Sequence, residues 1–260
     1  MKRMLLLLAG LATLLVLAMP AAAVTDGELD GDGHPYVGLM VAQAQDGTPL
    51  WRCSGTLISA TLFLTAGHCT ESPAAHIEIW FDADVESGAD AGTNGYPNDG
   101  DVGGTPHTHP QYDPNAFFLF DLGVVVLDEP LQMDTYGALP ALDQLDALKK
   151  RKQSEFTAVG YGLQRINPAF VEQEKVRMVA NPHLIQINGG IVGDYSLLLS
   201  NNHSTGGTCF GDSGGPNFLG ASNVIAGVTS FGLNGTCGGT GGVYRVDRAD
   251  DLDWLATFGA

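Results

Sequence analysis

From residue 36 onward the apolar positions fall in short clusters separated by Gly, Pro, Asn and Asp. Tyr36–Ala42, Gly55–Ser59, Leu62–Ala66, His76–Phe81, Leu122–Leu127, Phe156–Gly160, Val224–Phe231 and Gly242–Val246 read as strands. Little helical periodicity lies between them, which predicts an all-β chain of antiparallel barrels or sandwiches and not a parallel sheet. Val85–Gly104 is rich in Gly, Asp and Asn and reads as a solvated loop. Leu131–Glu155 differs in composition, with Pro140 followed by the helix-like stretch Ala141–Lys152, and reads as the connector between two halves. Arg248–Phe258 places Leu252, Leu255 and Phe258 at helical spacing and predicts a closing helix. No internal repeat is visible.

The first residues follow a different pattern. Lys2 and Arg3 precede the apolar run Met4–Met19, which is short for a permanent membrane span. Pro20 and Ala21-Ala22-Ala23 follow, a small-residue pattern suited to signal peptidase, so residues 1–23 read as an export signal. Export makes the four cysteines, Cys53, Cys69, Cys209 and Cys237, candidates for disulfides. Three pairings are possible by count, and pairing of near neighbours is the simplest. Closing the shorter loop would stabilise the fold by about 3 kcal/mol. A four-cysteine zinc site lacks any Cys-x-x-Cys pair and is set aside. The formal net charge of −17 repels phosphate backbones and acidic lipid, which argues against nucleic acid as a partner.

Three segments carry candidate chemistry. Leu64-Thr65-Ala66-Gly67-His68-Cys69 ends an apolar strand on a histidine. Asp121 heads the apolar strand Leu122–Leu127, and Gly211-Asp212-Ser213-Gly214-Gly215-Pro216 sets a serine in a glycine-rich turn. Taken singly, each suits an ordinary structural role. Together they supply a weak nucleophile, a base that titrates near neutral pH and a carboxylate to orient that base. Glycines around the serine would let backbone N–H groups point at a developing oxyanion.

These three segments resemble the signature blocks of the chymotrypsin/trypsin family of serine proteases. Cys53-Ser-Gly-Thr-Leu-Ile58, Val159-Gly160-Tyr161-Gly162, Thr229-Ser230-Phe231-Gly232 and Gly242-Val243-Tyr244 resemble further blocks, so the likeness covers the chain beyond the signal. It implies two packed six-stranded antiparallel barrels, over residues 24–138 and 139–260, with a C-terminal helix. It also implies His68 as general acid–base, Asp121 as its orienting partner, Ser213 as nucleophile, and Gly211 and Ser213 N–H as oxyanion hole. The Cys53–Cys69 bridge and a supporting contact from Ser230 to Asp121 follow from the same resemblance. Protein or peptide substrates, and protein inhibitors, are the implied partners of a secreted monomer, with no cofactor and no metal.

In that family a new N-terminal ammonium inserts beside the aspartate preceding the nucleophile, here Asp212. Val24-Thr25-Asp26-Gly27 resembles the family's mature start and directly follows the Ala21–Ala23 pattern, so signal cleavage itself would expose Val24. The primary pocket is expected around Gly207, Thr208, Phe210, Phe231, Gly232 and Gly242. Gly207 stands where trypsin-like enzymes carry an aspartate, which argues against strict Lys or Arg specificity. Small residues at 232 and 242 suggest room for a large apolar side chain. His107-Thr108-His109 reads as a loop without a third metal ligand, and Lys149–Lys152 as a solvated helix end. Asn202 and Asn234 head glycosylation acceptor patterns, and aspartates such as Asp82, Asp84 and Asp99 show no calcium-binding register. The rival readings are a silent extracellular binding protein of the same fold, which an intact triad disfavours, and an esterase, which an all-β chain disfavours.

Overall fold

The computed structural model describes residues 24–148, 154–167 and 170–260. The proposed signal peptide and Lys149–Lys152 lie outside them. Seven strands occupy the first half. They are β1 (Glu28–Leu29), β2 (Val37–Gln43), β3 (Pro49–Leu57), β4 (Leu62–Thr65), β5 (His76–Trp80), β6 (Val102–Thr108) and β7 (Gly123–Leu127). Nine follow in the second half. First come β8 (Phe156–Gly160), β9 (Arg165–Asn167), β10 (Phe170–Glu172), β11 (Met178–Ala180) and β12 (Leu184–Ile187). Then come β13 (Ser196–Asn201), β14 (Pro216–Leu219), β15 (Ile225–Gly232) and β16 (Gly239–Arg245). The helices are a single turn, α1 (Gly67–Thr70), and α2 (Ala249–Ala256).

Strands β2-β3-β4-β7-β6-β5 close into a barrel, all antiparallel. The remaining main sheet has eight strands in the order β1-β11-β8-β14-β15-β16-β13-β12. Its six central and distal strands curl until β12 meets β8 through one bridge, Glu155 with His183. The flanking hydrogen bonds are Phe156 N to Pro182 O and Leu184 N to Ser154 O. The second half is thus a curled sheet whose ends just touch, widened by β11 and by β1 from the opposite end of the chain. Buried Val, Leu, Ile and Phe explain why these segments are strands: β2 is buried along its whole length, as is β13. One core runs from the barrel (Leu64, Val124) into the second sheet (Phe218, Val228), and a separate cluster of Phe156, Leu197, Leu199 and Val243 fills the second half.

Two segments depart from the sequence reading. Of the helix expected over Ala141–Lys152, the described part, residues 141–148, holds a 3-10 turn at Gln144–Ala147, and Lys149–Lys152 lie outside the described residues. Tertiary bonds hold it there: Leu145 N donates to Asp247 Oδ2 at 2.8 Å, and Arg245 Nη2 donates to Asp146 Oδ1 at 2.9 Å. Bonds from Asn188 and Arg245 hold the Asp146 carboxyl down to about 2. The loop expected over Val85–Gly104 ends early, because Val102–Gly104 already pair with β5 and β7.

The closing helix appears as expected and docks on the first barrel. Leu255 is fully buried, while Trp254 packs on the His109 ring (4.9 Å) and Phe258 on His107 (5.1 Å). The His107–His109 segment is therefore a strand end that seats the helix and not a loop. Asp251 anchors the other side of the helix: it has no exposed surface, and the Tyr244 hydroxyl faces both its oxygens at 2.9 and 3.0 Å. Burial pushes its carboxyl up to about 8, helped by Asp250 and Asp247 and opposed by the Tyr244 bond. The folded chain then holds this proton more tightly than the unfolded chain, so the stabilisation is present at low pH and is lost as pH rises toward 8. Between pH 5 and 8 the parent should lose at least about 1 kcal/mol more than Asp251→Asn, or about 2–4 °C at this chain size, because Asp212 titrates in both proteins and Asp251 in the parent alone. Thermal melts at three pH values decide this; parallel curves for the two proteins would refute it.

Candidate active site

Apolar β4 runs straight into α1, and this places His68 at a fixed point on the barrel rim. The Cys53–Cys69 disulfide ties the turn to β3, and Trp51 Nε1 donates to Cys69 O at 3.1 Å. Glycine at 123 lets the head of β7 press against the same turn; a Cβ there would lie 2.6 Å from Ala66 O and from Thr70 Oγ1. The close approach delivers Asp121 to His68. Asp121 Oδ1 accepts from the His68 backbone N–H at 2.9 Å, and Nδ1 of the ring lies 3.1 and 3.0 Å from Oδ1 and Oδ2. Ser230 Oγ donates to Oδ2 at 2.5 Å. The carboxylate has no exposed surface, while the His68 side chain keeps 28 % of its own. Burial pushes the imidazole pKa down, but the Asp121 charge and hydrogen bond, with Glu71 behind them, outweigh it and raise the value above 6.5.

The serine turn comes from the other half of the molecule. Cys209 is bonded to Cys237, Asp212 N donates to Cys209 O at 3.0 Å, and Gly215 N donates to Asp212 O at 2.8 Å. Gly214 sits at φ +77°, and a Cβ on it would lie 2.0 Å from Thr65 Oγ1, so the turn can touch the first barrel only as glycine. Ser54 of β3 completes the junction. Its N–H donates to Ser213 O at 2.8 Å, its hydroxyl to Gly211 O at 2.9 Å, and its Oγ accepts from Tyr161 N at 3.0 Å. Among the described residues neither Gly211 N nor Ser213 N donates to a protein acceptor. Asp212 is fully buried and accepts from Gly162 N (2.7 Å) and Cys209 N (2.8 Å); burial pushes its carboxyl up to about 6.

His68 and Ser213 line one cavity of about 260 Å³, together with Thr208, Phe210, Thr229, Ser230, Phe231 and Gly232. Of the expected pocket residues, Gly207 and Gly242 do not line it. The Asn201 side chain fills the space before Gly207, and the Phe231 ring lies 2.4 Å from where a Cβ on Gly242 would be. The glycines therefore leave no deep apolar hole, because neighbouring side chains fold over them. Val24 is fully buried among Val176, Met178 and Ala180, and Thr25 O accepts from Gly207 N at 3.1 Å. The two disulfides join near neighbours, so Cys53 and Cys69 beside His68 have no thiolate to offer a metal. Ser54 and Asn201 were invisible to sequence reasoning, since a buried serine and a strand-end asparagine carry no local signal.

The chain is similar to known proteins along most of its length. The family model described as Trypsin matches residues 32–254. Collagenase of Hypoderma lineatum is 25 % identical over 268 residues, covering 98 % of this chain and 97 % of that protein. Brachyurin of Leptuca pugilator is 30 % identical over 217 residues, covering 80 % and 88 %. The solved HL collagenase structure superposes with a TM-score of 0.71 at 22 % identity, covering 91 % of this chain and 99 % of the other. Human heparin binding protein gives a TM-score of 0.62 at 20 % identity, over 87 % and 92 %. At these identities the two solved structures speak to the fold.

If the buried carboxylate is what holds the imidazole proton, Asp121→Asn should move the His68 titration to lower pH. NMR of the ring C–H resonances reads this directly, and an unmoved midpoint would contradict the coupling.

Proposed function

Since the chain belongs to the trypsin family, we propose that this serine-type endopeptidase is secreted and cleaves proteins or peptides through an acyl-enzyme formed on Ser213. The observation that carries the reading is the convergence of His68, already bonded to buried Asp121, and Ser213 on one cavity beside two unspent backbone N–H groups. Ser213 Oγ attacks the scissile carbonyl carbon as His68 Nε2 takes its proton. The oxyanion is met by the N–H groups of Gly211 and Ser213. His68 then returns the proton to the leaving amine as the C–N bond breaks, and water repeats the cycle on the ester. Ser213 and His68 make no direct hydrogen bond among the described residues; such bonds commonly tighten only around substrate. Asp121, held by its three donors, keeps the His68 tautomer with its proton on Nδ1.

Two disulfides suit an oxidising compartment, and no described helix is long and apolar enough to cross a membrane. Cleavage after Ala23 would leave Val24 as the mature start. A free ammonium there is the natural counter-charge for Asp212, whose carboxyl burial has pushed up to about 6 with only N–H groups bonded to it. The secreted enzyme would work as a monomer, needing no cofactor, and protein inhibitors would compete for the same cleft.

Wild type and Ser213→Ala should be compared on a peptide library varied at the residue before the cut. Cleavage by wild type alone, with fluorophosphonate labelling lost in the variant, is the expected result. Cleavage by neither protein, with no labelling of wild type, would sink the reading. The acid limb of kcat/KM should lie above the ordinary imidazole value of 6.5, since activity is lost as His68 protonates and Asp121 and Glu71 raise its pKa against burial. Asp121→Asn should cost about four orders of magnitude in kcat, the size known for this substitution in the family. N-terminal sequencing of the secreted protein should begin at Val24; a start several residues away would remove the activation proposal.

A further inference from the structure

The cavity beside Ser213 is backed by buried polar side chains that the chemistry at Ser213 does not use. Asn201, the last residue of β13, is 1 % exposed, and its Nδ2 donates to Thr208 O at 2.8 Å. That bond fixes the orientation of the amide, because a carbonyl accepts only from the nitrogen end. Asn201 Oδ1 is left buried without a partner among the described residues. It lies 2.6 Å from where a Cβ on Gly207 would be, immediately behind Thr208, which lines the cavity. Asn217 of β14 repeats the arrangement. It is fully buried, its Nδ2 donates to Thr229 Oγ1 at 3.0 Å, and its own Oδ1 is also unpartnered. Because Thr229 Oγ1 accepts there, its O–H hydrogen is free to point elsewhere, and Thr229 lines the same cavity.

Behind the lining at Thr208 there is thus an unpaired buried acceptor, Asn201 Oδ1, and on the lining itself Thr229 has a hydroxyl hydrogen that the Asn217 bond leaves free. Among the described lining residues the only titratable side chain is His68. A buried acceptor without a donor is unfavourable until a ligand supplies one. Resting on the endopeptidase reading above, we propose that this pocket selects a carboxamide side chain, glutamine above all, at the residue before the cut, with Asn201 as its specificity-determining residue. The amide NH2 donates to Asn201 Oδ1 and the amide oxygen accepts from Thr229 O–H. Methionine matches the length and offers neither partner. Glutamate cannot donate and brings an unpaired charge, and lysine brings a cation with no carboxylate to meet it. The Phe231 ring over Gly242 narrows the cavity against bulky aromatic residues.

The test is kcat/KM on peptides differing only at that residue (Gln, Met, Glu or Lys), for wild type, Asn201→Ala and Asn201→Asp. Fluorophosphonate titration counts active enzyme in each preparation. Wild type should prefer Gln over Met and over Glu by about tenfold or more. Asn201→Ala should bring the Gln/Met ratio close to one, and Asn201→Asp should raise Lys relative to Gln by about tenfold or more. A wild-type Gln/Met ratio near one, or a preference that survives Asn201→Ala, overturns this proposal while leaving the endopeptidase reading intact. Should a variant fail to fold, the wild-type ratio decides alone. Absence of any Ser213-dependent cleavage would instead strike the endopeptidase reading, and this inference with it.

Discussion

A carboxylate with no surface in water must find every one of its hydrogen-bond donors inside the protein, and Asp121 is such a group. Its donors come from both halves of the molecule. The backbone and ring of His68 belong to the turn after β4, and Ser230 belongs to β15 of the second sheet. Meeting this one requirement fixes the rotation of the imidazole, the height of α1 on the barrel rim and the approach of β15 to the first half. The cavity between the halves follows from that approach. A loss of the Asp121 charge would thus change the ring's protonation and loosen the contact that aligns the two halves.

The second side of the cleft obeys a similar logic with backbone groups as donors. Asp212 accepts from Gly162 and Cys209, and Ser54 bonds both the Ser213 and the Gly211 carbonyls. These bonds consume the Gly211 and Ser213 carbonyl oxygens, while among the described residues the N–H groups of the same two residues have no acceptor, which is the electrostatic bias an oxyanion needs. Farther out, fully buried Arg177 links the N-terminal segment to both halves. It donates to Asp30, to Gly31 O, to Val37 O and Phe81 O of the first barrel, and to the Tyr161 hydroxyl of the second half. Thr25 O meets Gly207 N nearby. The start of the described chain is therefore bonded to the backbone directly behind the pocket, which gives a physical route by which a change at Val24 would be felt at the serine turn.

How much was legible beforehand depended on the kind of signal. Strands such as Phe156–Gly160 and Leu62–Thr65 announced themselves because burial on a pleated surface selects apolar and β-branched residues locally. The closing helix did so through Leu255 and Phe258 at helical spacing. The described part of the helix-like run after Pro140 departs from its propensity because propensity is weak: the bond of Leu145 N to Asp247 and that of Arg245 to Asp146 hold Gln144–Ala147 as a short 3-10 turn. His107 and His109 suggested a loop by composition, yet their rings are the seat for Trp254 and Phe258.

By itself the sequence determined the strand-rich class, the candidate residues His68, Asp121 and Ser213, the candidacy of the four cysteines for disulfides and the absence of a carboxylate at Gly207. Each of these is a property of residue type and order, so no fold was needed to read it. Only the tertiary structure decided that six strands of the second sheet curl until β12 meets β8 at one bridge, and that Asn201 and Phe231 fold over Gly207 and Gly242. A glycine's lack of a side chain says that space is permitted at its Cα. Which neighbour takes that space depends on strands far away in sequence, and is settled only when they pack.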